Sequence, residues 1–256
     1  VLLNPEYTLQ VLLVFVRIGG LFMAAPFFNQ RFFPVQIRIF LAAILAFAFT
    51  GLVAGPLPPH VLHPVGFAAA VAVEALTGAL LGFAAQFIFY VIQFAGDIIG
   101  FQMSLSLAQI FNPVSGASSN PIGQFLTLGF MLLFVLLEGP QQIVIALARS
   151  FEVVPLGGAN LAAGGPLLLQ WTGAFFAAAL RLSAPFMVTL LLLDVALGVF
   201  ARVVPQADLF SLSLPLKLLV GTGVFALYLP QLGPVAPGFV EQMVGDLTQM
   251  LTAIAG

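Results

Sequence analysis

Across 256 positions the chain carries only seven Lys or Arg and nine Asp or Glu, 6% charged residues in all. Water-soluble domains carry about 25%. So few charged groups cannot hold solvent over a whole surface, and most side chains must face something other than water. Lipid is the expected medium, and the buried faces of a larger hydrophobic assembly are a second. The 61% apolar content and the mean hydropathy of +1.16 point the same way.

Several function classes drop out. A net charge of -2, with the basic residues scattered, excludes a basic nucleic-acid surface. With no Cys there are no disulfides or thiolate metal sites. The stretch from Val1 to Pro26 does not read as a signal peptide, because it lacks a basic start, holds Arg17 and shows no small-x-small cleavage site. No GxSxG, HExxH or P-loop motif occurs. His60 and His63 lie three apart in a Pro-rich stretch with no carboxylate nearby, and they read as loop histidines. Ser115, Ser118 and Ser119 have no evident base. An enzyme is not expected, nor a cofactor or metal.

A helix crossing a bilayer needs roughly 20 mostly apolar residues. That ruler predicts an all-α membrane protein, a single helical subunit over 1–256, with six spans: 7–28, 37–54, 65–95, 122–148, 166–201 and 209–229. Pro185 predicts a kink or break in the fifth. Clusters of Gly and Pro at 55–60, 112–121 and 155–166 read as loops. The tail over 238–254 spaces Val240, Met243, Val244, Leu247, Leu251 and Ile254 on one stripe. It predicts an amphipathic helix, lying in the interface or docked on a partner. With six spans, Arg31, Arg38 and Arg202 against Arg149 put both termini outside.

Charges inside such spans are expensive, about 2.5–3.5 kcal/mol each at the centre of a helix. Arg17, Arg38, Glu74, Asp97, Asp194, Arg202 and Lys217 are therefore expected as buried charges or subunit contacts, facing protein or water rather than lipid. Two readings stand for Arg17 and Glu74: a polar path for protons or ions, or interhelical pairing that fixes packing. Asp194 and Arg202 are eight apart, too far for a local bridge, which favours bridging to other helices or subunits.

Residues 96–111 read GDIIGFQMSLSLAQIF. Gly96, Gly100, Ser104 and Ala108 recur every fourth position and predict one helix with a close-packing groove. Gln102, Ser106 and Gln109 make it too polar for a lipid-facing helix. Ile110 and Phe111 end it beside the Asn112-Pro113 turn and a stretch rich in Gly and Ser, a layout suited to a movable hydrophobic plug.

Three stretches resemble the FliR family of flagellar export-gate proteins: RIGGLFMAAPFFNQRFFPVQIRIFLA, GDIIGFQMSLSLAQIFNPVSG and LLLDVALGVFARVVPQADLFSLSLPLK, with FEVVPLGG as a fourth. Arg17, Pro26, Pro34, Arg38, Gly100, Gln102, Met103, Pro113, Asp194, Gly198, Arg202, Pro205, Gln206, Phe210, Pro215 and Lys217 sit where that family's pattern wants them. Asn112 departs from it, since Asp often precedes that proline. The resemblance implies bent helical hairpins standing partly above the membrane plane. It implies assembly with FliP-like and FliQ-like subunits into the inner-membrane export pore of the flagellar basal body. FlhB-like and FlhA-like components would work on its cytoplasmic side, and unfolded flagellar proteins would be the cargo. It also implies a plug built from Leu107, Ile110, Phe111, Asn112, Pro113, Val114, Ser115 and Gly116. Two other functions are weighed: a secondary transporter using Glu74, Asp97, Asp194 and Lys217, and the equivalent subunit of a virulence injectisome.

Overall fold

A computed structural model describes residues 5–28, 34–53, 57–105, 120–204 and 208–255. Seven α-helices lie among the described residues: α1 (Pro5–Ala24), α2 (Val35–Phe49), α3 (Pro64–Gln102), α4 (Pro121–Leu136), α5 (Gly139–Val153), α6 (Leu161–Val203) and α7 (Leu209–Ala255). Short 3-10 turns at Thr50–Leu52 and Pro59–Leu62 lie between α2 and α3. Proline opens α1, α3 and α4 and is the second residue of α5. Its fixed φ and missing N–H cost nothing in a first turn, where that N–H has no helical partner.

By length and apolar composition α1, α3, α6 and α7 can each cross a membrane. The pair α4 and α5 adds a fifth crossing if counted together, bent by 67°. The six predicted spans are thus redistributed. α2 is only 15 residues long. The run over 122–148 breaks where Glu138 takes a left-handed conformation, φ 58°, ahead of Gly139-Pro140. Pro185 does not break α6, and Pro230, Pro234 and Pro237 do not separate a tail from α7. In an apolar medium the backbone has no water to turn to, so continuing the helix around a proline costs less than opening it.

The chain divides into two compact units. The first comprises Val1–Ile88, Val135–Thr172 and Phe239–Gly256. Its core takes Leu13, Ile18 and Leu21 from α1, Leu81 from α3, Ile143, Leu147 and Phe151 from α5, and Met243, Leu247, Met250 and Ile254 from α7. Most of the stripe predicted for the tail is therefore packed within this chain, with Val244 half-buried at its edge. Gly164 at the start of α6 makes room for it, because a Cβ there would meet Met250 Sδ at 3.3 Å and Ile254 Cγ2 at 3.6 Å.

The second unit comprises Phe89–Phe134 and Gly173–Gly238. Aromatic rings join its helices: Phe89 meets Phe130 and Phe134 edge-on at 5.0 and 5.2 Å, Phe94 meets Phe175 at 5.3 Å, and Phe125 meets Phe225 at 5.5 Å. Edge-to-face rings gain from the ring quadrupole as well as from burial. The α6 residues Val188, Leu191, Leu192, Val195 and Val199 are exposed.

Candidate functional site

In the first unit, one buried ion pair ties four segments together. Arg17 of α1 and Glu74 of α3 are both fully buried. Arg17 Nε donates to Glu74 Oε2 at 2.5 Å and Nη2 to Oε1 at 3.0 Å, a two-pronged contact. Nη1 donates to the carbonyls of Ser150 and Val154 at 2.8 and 3.2 Å. The guanidinium also lies 4.7 Å from the centre of the Phe151 ring. The backbone N–H of Gly157 donates to Glu74 Oε1 at 2.7 Å. Gly157 reaches it at φ +72°, which a side chain would make strained.

Isolated charges this deep would be destabilising by several kcal/mol each, and the pair persists because its donors and acceptors are met. With Glu74 engaged by Arg17 and by Gly157, the pairing interpretation fits the geometry and a proton path through Glu74 does not. α1 and α3 approach closely enough for this because glycines line the seam. A Cβ on Gly20 would come within 2.5 Å of the Ala75 carbonyl, and one on Gly78 would overlap the carbonyl of Arg17 itself.

In the second unit, α3 stops at Gln102 rather than running on to Phe111. The stop is a hydrogen-bonded C-cap: Ser104 N–H donates to Phe101 O at 3.0 Å and Leu105 N–H to Gly100 O at 3.0 Å. Such a cap needs a left-handed residue, usually Gly. Ser104 fills it at φ 63°, so it lies past the helix and off the predicted groove. Gly96 and Gly100 do receive a neighbour, the start of α4. Asn120 Nδ2 donates to Gly96 O at 2.7 Å, while its Oδ1 accepts from Ile122 N–H at 3.1 Å and caps α4. A Cβ on Gly100 would overlap the Asn120 side chain. Asp97 accepts from Gln93 Nε2 at 3.3 Å, and Thr127 donates to Gln93 Oε1 at 2.8 Å. Met103 is buried against Gly221 of α7, where a Cβ would come within 2.6 Å of its Cγ. Ala108 and the expected plug, Leu107, Ile110, Phe111, Asn112, Pro113, Val114, Ser115 and Gly116, lie outside the described residues.

Asp194 of α6 pairs with Lys217 of α7, Nζ to Oδ1 at 2.7 Å, with the Asp side chain 40% exposed. Arg202 is exposed in the last turn of α6, where a cation complements the helix dipole. It is thus not buried within this chain. Arg38 is half-buried near the start of α2. No group of three or more potential metal ligands gathers among the described residues.

The family model for bacterial export proteins, family 1, matches residues 8–243. The chain belongs to this export family, the family of FliR. It is 31% identical to the flagellar biosynthetic protein FliR of Pectobacterium carotovorum subsp. carotovorum, over 94% of this chain and 92% of that protein. The FliR of Escherichia coli (strain K12) is 31% identical over 93% and 90%, and that of Bacillus subtilis (strain 168) 33% identical over 82% and 82%.

FliR-like stretches supply most of the contacts described above. RIGG brings Arg17 and Gly20 to the α1–α3 seam, and FEVVPLGG brings Phe151, Val154 and Gly157 around the ion pair. GDIIGFQM brings Gly96, Gly100 and Met103 to Asn120 and Gly221. The sequence reading missed Ser150, Gly157, Asn120 and Gly221. Asn120-Pro121 was the legible one, since an Asn before a first-turn Pro is a capping signal. Nothing in the sequence singles out Gly221 among 25 glycines.

Proposed function

We propose that this chain is a structural and gating subunit of the inner-membrane protein-export pore of the flagellar type III secretion apparatus, through which unfolded flagellar proteins pass. The match to FliR proteins over most of the chain carries this reading. Two structural features support it. The exposed apolar residues of α6 need lipid or protein cover. Among them sits the Asp194–Lys217 pair, an ionic spot that does not rest cheaply against hydrocarbon and asks for a neighbouring protein. FliP-like and FliQ-like subunits are the neighbours we assign, with FlhB-like and FlhA-like components on the cytoplasmic side. The role is structural and uses no cofactor.

The gate in this reading is the stretch of Leu107, Ile110, Phe111, Asn112, Pro113, Val114, Ser115 and Gly116. An apolar constriction excludes water and ions at rest, yet offers a passing chain no strong binding site. Deleting the gene should leave cells without flagella, and the tagged chain should co-purify with two smaller hydrophobic subunits. A folded monomer or homo-oligomer extracted alone, with motility intact in the deletion strain, overturns the assignment. Replacing Ile110 and Phe111 with Gly should raise the ion conductance of the purified complex without preventing assembly. Conductance equal to wild type removes the gating role and leaves the structural one.

A further inference from the structure

In the first unit a groove of about 240 Å³ runs between α5 and the last turns of α7. Its apolar part is made by Ile145 and Val153 from α5 and by Val244 and Leu251 from α7. Gln142 and Arg149, two turns apart on α5, give it a polar edge. The Arg149 side chain is exposed and makes no ion pair or hydrogen bond among the described residues, and neither does the Gln142 side-chain amide. The hydroxyls of Thr248 and Thr252 donate to their own helix, at Val244 O and Gln249 O, so only their acceptor sides face the groove. No carboxylate lines it. The exposed Glu152, one turn beyond Arg149, forms no bridge with it among the described residues.

Arg17 shows what a guanidinium requires beside apolar helices in this protein: Arg17 meets a carboxylate and two carbonyls, and Arg149 meets none of these. Its planar fork of N–H donors suits two oxygens of one anion. We propose that this groove binds an anionic phospholipid, with the phosphate on Arg149 and Gln142 and the start of an acyl chain along Ile145, Val153, Val244 and Leu251. A free phosphate would satisfy the cation and leave the apolar bed bare, whereas a zwitterionic lipid would bring its own cation to the same edge. Both lining helices belong to segments apolar enough for a membrane, so lipid is the anion source at hand.

The test uses the full chain in its purified assembly, reconstituted in vesicles of equal phosphatidylcholine and phosphatidylglycerol doped with photoactivatable phosphatidylglycerol. Cross-links should map to 139–153 and 244–255. Arg149→Ala should cut them about tenfold, the scale of one charge-assisted contact, and Arg149→Lys should cut them less. Ala146→Trp, which fills the groove and keeps the charge, should also lose them. Arg149 is exposed and Ala146 only partly buried, so assembly on gel filtration should stay intact and separate lost binding from lost folding. A drop in only one of Arg149→Ala and Ala146→Trp, or in neither, overturns the proposal. So does equal labelling by photoactivatable phosphatidylcholine, displacement of the label by excess inorganic phosphate, or a photoreactive side chain at Ile145 that captures protein instead of lipid.

Discussion

Arg17–Glu74 and Lys217–Asp194 each join two helices through one cation and one carboxylate, yet their surroundings differ in kind. The first pair is sealed and saturated: Arg17 reaches two backbone carbonyls and an aromatic ring besides its carboxylate, and Glu74 holds a loop N–H. In the second, Lys217 meets only Asp194 among the described residues, and the carboxylate is 40% exposed. Saturation is what lets a charge stay buried, because each unmet donor or acceptor would carry its full desolvation cost. An unsaturated pair at a surface is a site still open to a neighbour. The same chemistry thus serves as an internal rivet in one unit and as an open contact in the other.

Breaking one side of the rivet should have the largest effect. Glu74→Leu leaves Arg17 buried without its anion and should lower stability by about 3–5 kcal/mol, read from thermal unfolding in detergent. A loss no greater than that at Asp194 would erase the distinction between the pairs. Gly78→Ala tests the seam that lets the rivet form: its Cβ would meet the Arg17 carbonyl, a backbone atom that cannot rotate away, so the loss should be of the same order as that of Glu74→Leu. Combining Arg17→Met with Glu74→Leu sharpens the comparison further. Removing both charges should cost less than Glu74→Leu alone, because no buried charge is left unpaired, although the Val154 carbonyl and the Gly157 N–H each lose a partner. The smallest effect belongs to Asp194→Asn, within about 1 kcal/mol for the chain extracted without partners. In that variant, loss of co-purifying subunits with unchanged unfolding would identify the pair as an external contact.

Sequence reading went furthest where hydropathy alone decides. The long apolar helices, the charges within them and the stripe Met243–Leu247–Ile254 were all legible, because periodicity reports which face avoids water. It went astray where backbone geometry decides. Ser104 carries no mark of the left-handed cap it adopts, so α3 read as continuing to Phe111. Pro185 looked like a breaker under rules learned from water, where an opened helix finds solvent donors, and the tail read as separate from the sixth span although α7 runs through Pro230, Pro234 and Pro237. Glu138 hid a 67° bend in an apolar run, although the Gly139-Pro140 that follows offered the clue. Arg17 and Glu74 could be flagged as expensive but not as partners, since they lie 57 positions apart and only the fold brings in Ser150, Val154 and Gly157.

The prolines of α7 have a mechanical corollary. Pro230, Pro234 and Pro237 recur at helical spacing, so the rungs they delete, to the carbonyls of Ala226, Pro230 and Gly233, all fall along one flank. Each of these oxygens lacks the N–H four residues on, so that flank can lengthen as the rod flexes with no such bond to rupture. Hydrocarbon supplies no donors, so these oxygens should turn toward polar side chains or trapped water.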